Sequence, residues 1–335
     1  MSTLLQQAPS LGNTIWFILA AVVLLAVLLG FVTYAIYFER KVIGWMQLRI
    51  GPNRVGPLGL LQTVADVTKL LLKEDTRPQH ADKALFTLAP ILAYAPAFAV
   101  LAVMPFTESI QFADLGIGLL YYIALSGITV LGVITAGWAS NNKYSLIGGL
   151  RSAAQMISYE VPLVMSVVGI VLMTGSMNLR EIVEAQRDVW NIVPQFIGFV
   201  VFIVAAQAEL NRTPFDLPEA ESELVAGYHV EYSGFRFAMF MLAEYVYMFG
   251  MGTLITILFL GGWLPIHPAL SFIPGIIWFV LKFSLYVFFQ FWLRATMPRM
   301  RVDQLMSFAW KVLLPVALFN ILLTAVVISY QNGMF

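Results

Sequence analysis

Between Glu209 and Glu231 the chain carries six carboxylates, Glu209, Asp216, Glu219, Glu221, Glu223 and Glu231, in the stretch "AELNRTPFDLPEAESELVAGYHVEYSG". Acids this close raise one another's pKa once a fold partly buries them. Carboxylates that titrate nearer neutrality accept and release protons, or answer a change in nearby charge. Pro214, Phe215, Leu217, Pro218 and Leu224 are mixed among them, which suits a folded, partly buried segment better than a solvated one. Arg212 and Arg236 flank the stretch. Glu160, Glu244 and Lys282, together with Glu209, interrupt segments that are otherwise apolar.

The elements that hold these groups follow from composition. Sixty per cent of the 335 residues are hydrophobic and 11% are charged, against roughly 25% charged in a soluble domain. Apolar runs of about 20 residues, enough to cross a bilayer, fall at 13–38, 86–106, 117–138, 153–174, 191–209, 237–262, 275–294 and 308–330. The fold class expected is therefore all-α and polytopic, with eight transmembrane helices in one integral membrane domain over 1–335. No internal repeat is evident. The first run is too long for a signal-peptide core and has no Lys or Arg before it, so the N-terminus is expected to be retained.

Charge sets the orientation. Arg40, Lys41, Arg49, Arg54, Lys69, Lys73, Arg77 and Lys83 lie between the first two runs, and Lys143 and Arg151 between the third and fourth. Arg212, Arg236, Arg294, Arg299, Arg301 and Lys311 fall on the same side, and only Arg180 and Arg187 on the other. Sixteen against two is a positive-inside pattern. It puts both termini on the outer face and the acidic stretch in the cytoplasm, or its organellar equivalent; a bacterial inner membrane is the location expected.

Depth then orders the buried charges, each of which costs about 2.5–3.5 kcal/mol or more at the bilayer centre. At about 1.5 Å per residue, Glu160 and Glu244 lie roughly 10 Å in from the cytoplasmic ends of their helices, and Lys282 about 18 Å in from Arg294. They form a ladder from Glu209 through Glu160 and Glu244 to Lys282. The equal depths of Glu160 and Glu244 predict that they titrate as a unit. Pro162 removes the bond to the Ser158 carbonyl and opens the helix beside Glu160 to water. Spacing leaves two roles open: proton handling, or a structural ion pair such as Glu244 with Lys282.

The first cytoplasmic loop opens with the turns Gly51-Pro52 and Gly56-Pro57. Gln62, Asp66, Lys69 and Lys73 then recur at helical spacing, with Leu60, Leu61, Val64, Val67 and Leu71 largely opposite. This predicts an amphipathic helix in the membrane interface, either an anchor or a gate beside a lipid-soluble ligand. The absence of cysteine excludes thiolate-bound clusters, CxxC redox pairs and disulfides. The three histidines, His80, His229 and His267, are scattered, and no GxGxxG or GxxxxGK[ST] motif is present. No metal or bound cofactor is expected on this chain, and no nucleic-acid partner.

Four stretches carry a family resemblance: "FERKVIGWMQLRIGPNRVGPLGLLQ", "AQMISYEVP", "ELNRTPFDLPEAESELVAGYHVEYSG" and "RATMPRMRVDQLM". In order and topology they resemble the H-type membrane subunits of NADH:quinone oxidoreductase, respiratory complex I, a family that includes subunit one of the mitochondrial enzyme. Arg236 replaces a lysine common in that family and keeps its charge. The resemblance implies a subunit, inactive alone, that joins a hydrophilic redox arm to the membrane arm of a proton-translocating enzyme and forms much of its quinone chamber. It implies that Glu39, Arg40, Arg212, Arg294, Arg299 and Arg301 line the quinone path. Asp216, Glu219, Glu221, Glu223 and Glu231 would form a charged funnel, which Glu160, Glu209, Glu244 and Lys282 continue into the membrane. Quinone is then the substrate. Flavin and iron-sulfur clusters belong to partner subunits, and antiporter-like membrane subunits and lipid are the other partners.

Two rivals make different forecasts. A stand-alone ion or proton transporter predicts broken helices in repeated halves. A membrane-bound hydrogenase uses a related subunit without quinone, and the first-loop and "RATMPRMRVDQLM" motifs favour the quinone enzyme. The orientation is tested by single cysteines placed in the 39–85, 139–152, 210–236 and 295–307 loops of this cysteine-free chain. Position 221 is expected to react with an impermeant maleimide from the cytoplasmic face alone, and labelling from the outer face would overturn the orientation.

Overall fold

Lipid offers no hydrogen-bond partner to the backbone, so an apolar run that crosses it must close its own bonds as a helix. The computed structural model describes residues 11–217 and 225–331, and among these it is helical with no strand. The principal helices are α1 (Leu11–Met46), α2 (Gln62–Leu72), α3 (Lys83–Ala99), α4 (Gly118–Ala139), α5 (Lys143–Thr174), α6 (Leu179–Glu184), α7 (Phe196–Glu209), α8 (Gly234–Leu258), α9 (Gly275–Thr296), α10 (Val302–Phe308) and α11 (Leu314–Gln331). A π-helical turn, Ala309–Leu313, joins α10 to α11.

Among the described residues, seven segments are long and apolar enough to cross a membrane. The expected fifth span is the shorter apolar helix α7, of 14 residues, about 21 Å of helix against a core of about 30 Å. The chain before it is irregular because its side chains bond inward. Asn191 Nδ2 donates to the Leu258 carbonyl (2.9 Å), and Gln195 Nε2 donates to Thr324 Oγ1 (2.8 Å). In the other direction α1 continues to Met46, beyond its expected end at Phe38, because Glu39 finds partners described below. The amphipathic helix of the first loop is α2. Pro162 is carried inside a continuous α5.

Side-chain caps mark several helix starts: Asp82 accepts from Ala84 N and Leu85 N, and Asn142 from Tyr144 N. The most enclosed helix is α8, with 83% of its membrane window buried, and α1 is the least, with 17%. Helix α8 packs against α1, α2, α3 and α9, while α5 packs against α4, α7 and α11. Close crossing of α3 and α4 depends on Gly132, where a Cβ would lie 2.6 Å from the Ala93 nitrogen. The ends of α1, α7, α8 and α9 on the face of the basic loops converge, and that convergence builds the site.

Candidate functional site

A charged group moved out of water needs an opposite charge and hydrogen bonds around it. Helix α1 delivers Glu39, 4% exposed, and the turn after α7 delivers Arg212, 2% exposed. Arg212 Nη1 donates to Glu39 Oε2 (3.0 Å), and its Nη2 lies 2.9 Å from Glu244 Oε1 on α8. Arg294, near the end of α9, donates to Glu39 Oε1. Tyr245 donates its hydroxyl to Glu39 Oε2 (2.9 Å), while its ring lies 4.6 Å from the Arg212 guanidinium, a cation–π geometry. Two carboxylates thus meet two guanidiniums in a formally neutral cluster, buried at Glu39 and Arg212 and partly exposed at Glu244 and Arg294. Burial works against the charge of Arg212, but Glu39 and Glu244 more than restore it, so its proton is held more tightly than usual.

The turn that carries Arg212 is held at several points. Gln155 Nε2 on α5 donates to the carbonyls of Ala208 (2.8 Å) and Phe215 (2.7 Å). Gln207 Nε2 donates to the Thr213 carbonyl (2.8 Å), and Met300 N donates to the Pro214 carbonyl (3.0 Å). Asp216 is paired with Arg299, Nη2 to Oδ2 2.9 Å. Burial pushes the Asp216 carboxyl above the usual range; Arg299 and Arg294 pull it back in part, and Glu244 adds to the rise. His229, in the Gly227–His229 turn, is pushed down to about 4 by burial.

Glu244 and Glu209 line one small cavity of about 60 Å³ with Thr129, Asn211 and Tyr247, a size that admits water. Both Glu209 carboxylate oxygens are buried, with the Tyr247 hydroxyl as their hydrogen-bonding neighbour. Glu209 interacts electrostatically with Glu160, whose Oε1 lies against Gly127 of α4, 3.1 Å from the position of a Cβ there. The connected order is therefore Glu39, Arg212, Glu244, the cavity, Glu209 and Glu160. This revises the ladder read from depth. Equal depth paired Glu160 with Glu244, whereas Glu244 turns to Arg212 and Glu160 interacts with Glu209.

Lys282 is held elsewhere. It lies about 10 Å in from the far end of α9 and donates to the carbonyls of Gly262 (3.0 Å) and Leu264 (2.7 Å) with Nζ 4.1 Å from the Trp190 ring centroid. Glu244 is not its partner. Arg40 turns outward to Asp66 on α2 (2.5 Å), joining α1 to the interfacial helix. Glu231 accepts from Asn142 Nδ2 (2.6 Å), and Arg301 is exposed at the start of α10. Glu219, Glu221 and Glu223 lie outside the described residues. Tyr245 and Gln155 join the site with no signal in the sequence, one aromatic and one amide among many. Among the described residues no cluster of three or more His, Asp or Glu is disposed to hold a metal ion.

The fold and the site define a polytopic helical membrane protein with a buried carboxylate–guanidinium cluster that leads toward further buried acids. The chain belongs to the NADH dehydrogenase family, whose profile matches residues 19–325. It is 92% identical over 335 residues, all of both chains, to the H subunit of NADH-quinone oxidoreductase from Brevibacillus brevis (strain 47 / JCM 6285 / NBRC 100599). It is 68% and 69% identical, over 328 residues and 98% of each chain, to the proteins of that name in Anoxybacillus flavithermus (strain DSM 21510 / WK1) and Bacillus thuringiensis (strain Al Hakam).

The contacts of Lys282 separate an anchoring role from a proton-handling one. Lys282→Met leaves the Gly262 and Leu264 carbonyls unpaired at a cost of about 1–3 kcal/mol. The 259–264 loop is expected to become more open to proteolysis and the assembled enzyme less heat-stable, with turnover per assembled enzyme retained. Lost turnover with unchanged stability would assign Lys282 to the proton path instead.

Proposed function

We propose that this chain is the quinone-binding membrane subunit of a proton-translocating NADH:quinone oxidoreductase of the complex I type, and that its charged cluster couples quinone reduction to proton movement. The observation that carries the reading is the junction of Glu39, Arg212, Glu244, Tyr245 and Arg294, centred on the buried Glu39–Arg212 pair. It stands where α1 and α9 meet the basic loops, and it adjoins the cavity shared by Glu244 and Glu209. In this reading the chain is one membrane domain in a bacterial inner membrane with both termini outside. Cluster-bearing subunits dock on the basic loops, antiporter-like subunits lie alongside, and flavin and iron-sulfur centres belong to the partners.

Reduction of a quinone to its quinol takes two electrons and two protons. Electrons arrive from the partner subunits, and protons from groups that face the headgroup. Arg294, Arg299 and Arg212 supply positive charge for a reduced, not yet protonated oxygen, since guanidinium stays charged in a dry site. Asp216, with its raised pKa, and Glu39 are the nearby acids. Withdrawing one proton from a neutral cluster creates a net charge. At an effective dielectric near 20, one charge acts on another 10 Å away by about 1.7 kcal/mol, more than a tenfold change in a proton equilibrium. That is enough to shift Glu244, then Glu209 and Glu160, in turn. Glu219, Glu221, Glu223 and Glu231 extend the acidic funnel, Arg40 lines the quinone path beside α2, Arg301 is placed at its rim, and Lys282 anchors the far loop.

Two substitutions in the whole enzyme test this. Arg294→Ala is expected to slow NADH-to-quinone turnover at least tenfold while NADH oxidation by an artificial acceptor is spared. Arg299→Gln removes a charge that lowers the Asp216 pKa, so Asp216 stays protonated, and able to give its proton, to higher pH, and the alkaline limb of quinone-linked turnover shifts upward. Unchanged quinone kinetics in assembled Arg294→Ala enzyme, or an unmoved alkaline limb in Arg299→Gln, would contradict the reading.

A further inference from the structure

Glu244 and Tyr247 stand three residues apart on α8 and so leave the helix on one face, and both line the cavity they share with Glu209. The coupling steps use the two acids and give the tyrosine no part. Tyr247 and Glu209 are 5% and 2% exposed, so a hydroxyl between them needs partners within the protein. It has two: it is a hydrogen-bonding neighbour of the Glu209 carboxylate and of Ser126 on α4. Ser126 in turn precedes Gly127, against which Glu160 Oε1 lies.

Counting hydrogens decides what the hydroxyl does. Ser126 Oγ donates its only hydrogen to the Ile123 carbonyl (2.8 Å), so toward Tyr247 it accepts. An ionised carboxylate has no hydrogen and also accepts. Tyr247 therefore has one hydrogen for two acceptors. With Glu209 ionised, the charged acceptor is the stronger and takes it. With Glu209 protonated, the acid donates its own hydrogen to Tyr247 Oη, and the tyrosine hydrogen turns to Ser126.

We infer that Tyr247 is a positioning residue for Glu209, a two-position hydroxyl switch that points to Glu209 while that acid is ionised and to Ser126 once it is protonated. The inference rests on the reading of Glu209 as the acid that answers the cluster. Tyr247 keeps its own proton throughout; only the hydroxyl turns, and the proton that Glu209 gains arrives from the cavity side. Each position leaves no hydrogen of Glu209, Tyr247 or Ser126 without an acceptor, so the fold accommodates both protonation states of a buried acid. In the second position the donors run in order from Glu209 through Tyr247 to Ser126, beside the turn of α4 that faces Glu160.

The test is made on the intact enzyme by infrared difference spectroscopy as NADH reduces bound quinone, with quinone kinetics and heat stability measured on the same preparations. The Glu209 carboxyl band, identified by its loss in Glu209→Gln, is expected to move to higher wavenumber in Tyr247→Phe, where the acid has lost its acceptor. A tyrosine C–O band in the wild-type spectrum is expected to vanish in Tyr247→Phe and also in Ser126→Ala, which leaves the hydroxyl a single seat. In both variants kcat is expected to fall roughly threefold to tenfold, the effect of one hydrogen bond, with KM for quinone unchanged. The two substitutions lie on different helices, so a folding failure of one leaves the other to decide. A Glu209 band unmoved in Tyr247→Phe, or a tyrosine band kept in Ser126→Ala, overturns the switch alone, and so does a fall in heat stability with both bands in place. A wild-type spectrum identical to that of Glu209→Gln overturns the coupling reading and the switch with it.

Discussion

Everything at the site depends on burying Arg212. A guanidinium with 2% of its surface exposed is tolerable in a low-dielectric setting only if anions and acceptors surround it, and four helices are arranged to supply them. Glu39 comes from an extension of α1, Glu244 and Tyr245 from α8, and Arg294, from α9, balances the second carboxylate. The requirement explains why α1 remains helical through Glu39, Arg40 and Lys41. It also explains why the 210–217 turn is bonded to both α5 and the chain before α10. Removing one member strands the others, so the cluster fixes helix positions and electrical balance together.

A cluster so balanced is stable when neutral and sensitive to any change of one charge. That property suits a coupling device, because the same low dielectric that makes an imbalance costly carries its field to neighbouring acids. Glu209 is the natural receiver: its carboxylate is buried, and Tyr247 and Glu244 share its cavity. The 60 Å³ cavity between it and Glu244 gives the two carboxylates a shared space. Lys282, by contrast, is satisfied by two backbone carbonyls and an indole ring, a set of contacts that stiffens a loop.

The helices were legible because the bilayer imposes one length and one composition on every crossing, and the amphipathic α2 because its two faces differ. The limits of α1 and α7 were not. Charged residues end an apolar run in the sequence but do not end a helix when partners such as Arg212 and Arg294 wait beside it. Asn191 and Gln195 count as tolerable in an apolar run, although their bonding leaves the chain irregular before Phe196. For the site, sequence supplied candidate charged residues and their depth, which is the coordinate along a helix axis. It carried no coordinate around the axis. Hence equal depth made partners of Glu160 and Glu244, while their true neighbours are Glu209 and Arg212. Lys282 and Glu244 were alike in isolation but are satisfied at different places. Tyr245 owes its role wholly to that second coordinate.

The central claim is that a change at the cluster alters the protonation of Glu209. Infrared difference spectroscopy of the whole enzyme, recorded as bound quinone is reduced by NADH, reads the carbonyl stretch of protonated carboxyl groups directly. The account predicts a carboxyl band in the wild-type difference spectrum that is absent in Glu209→Gln, in enzyme with normal subunit content. Identical difference spectra for wild type and Glu209→Gln would contradict it.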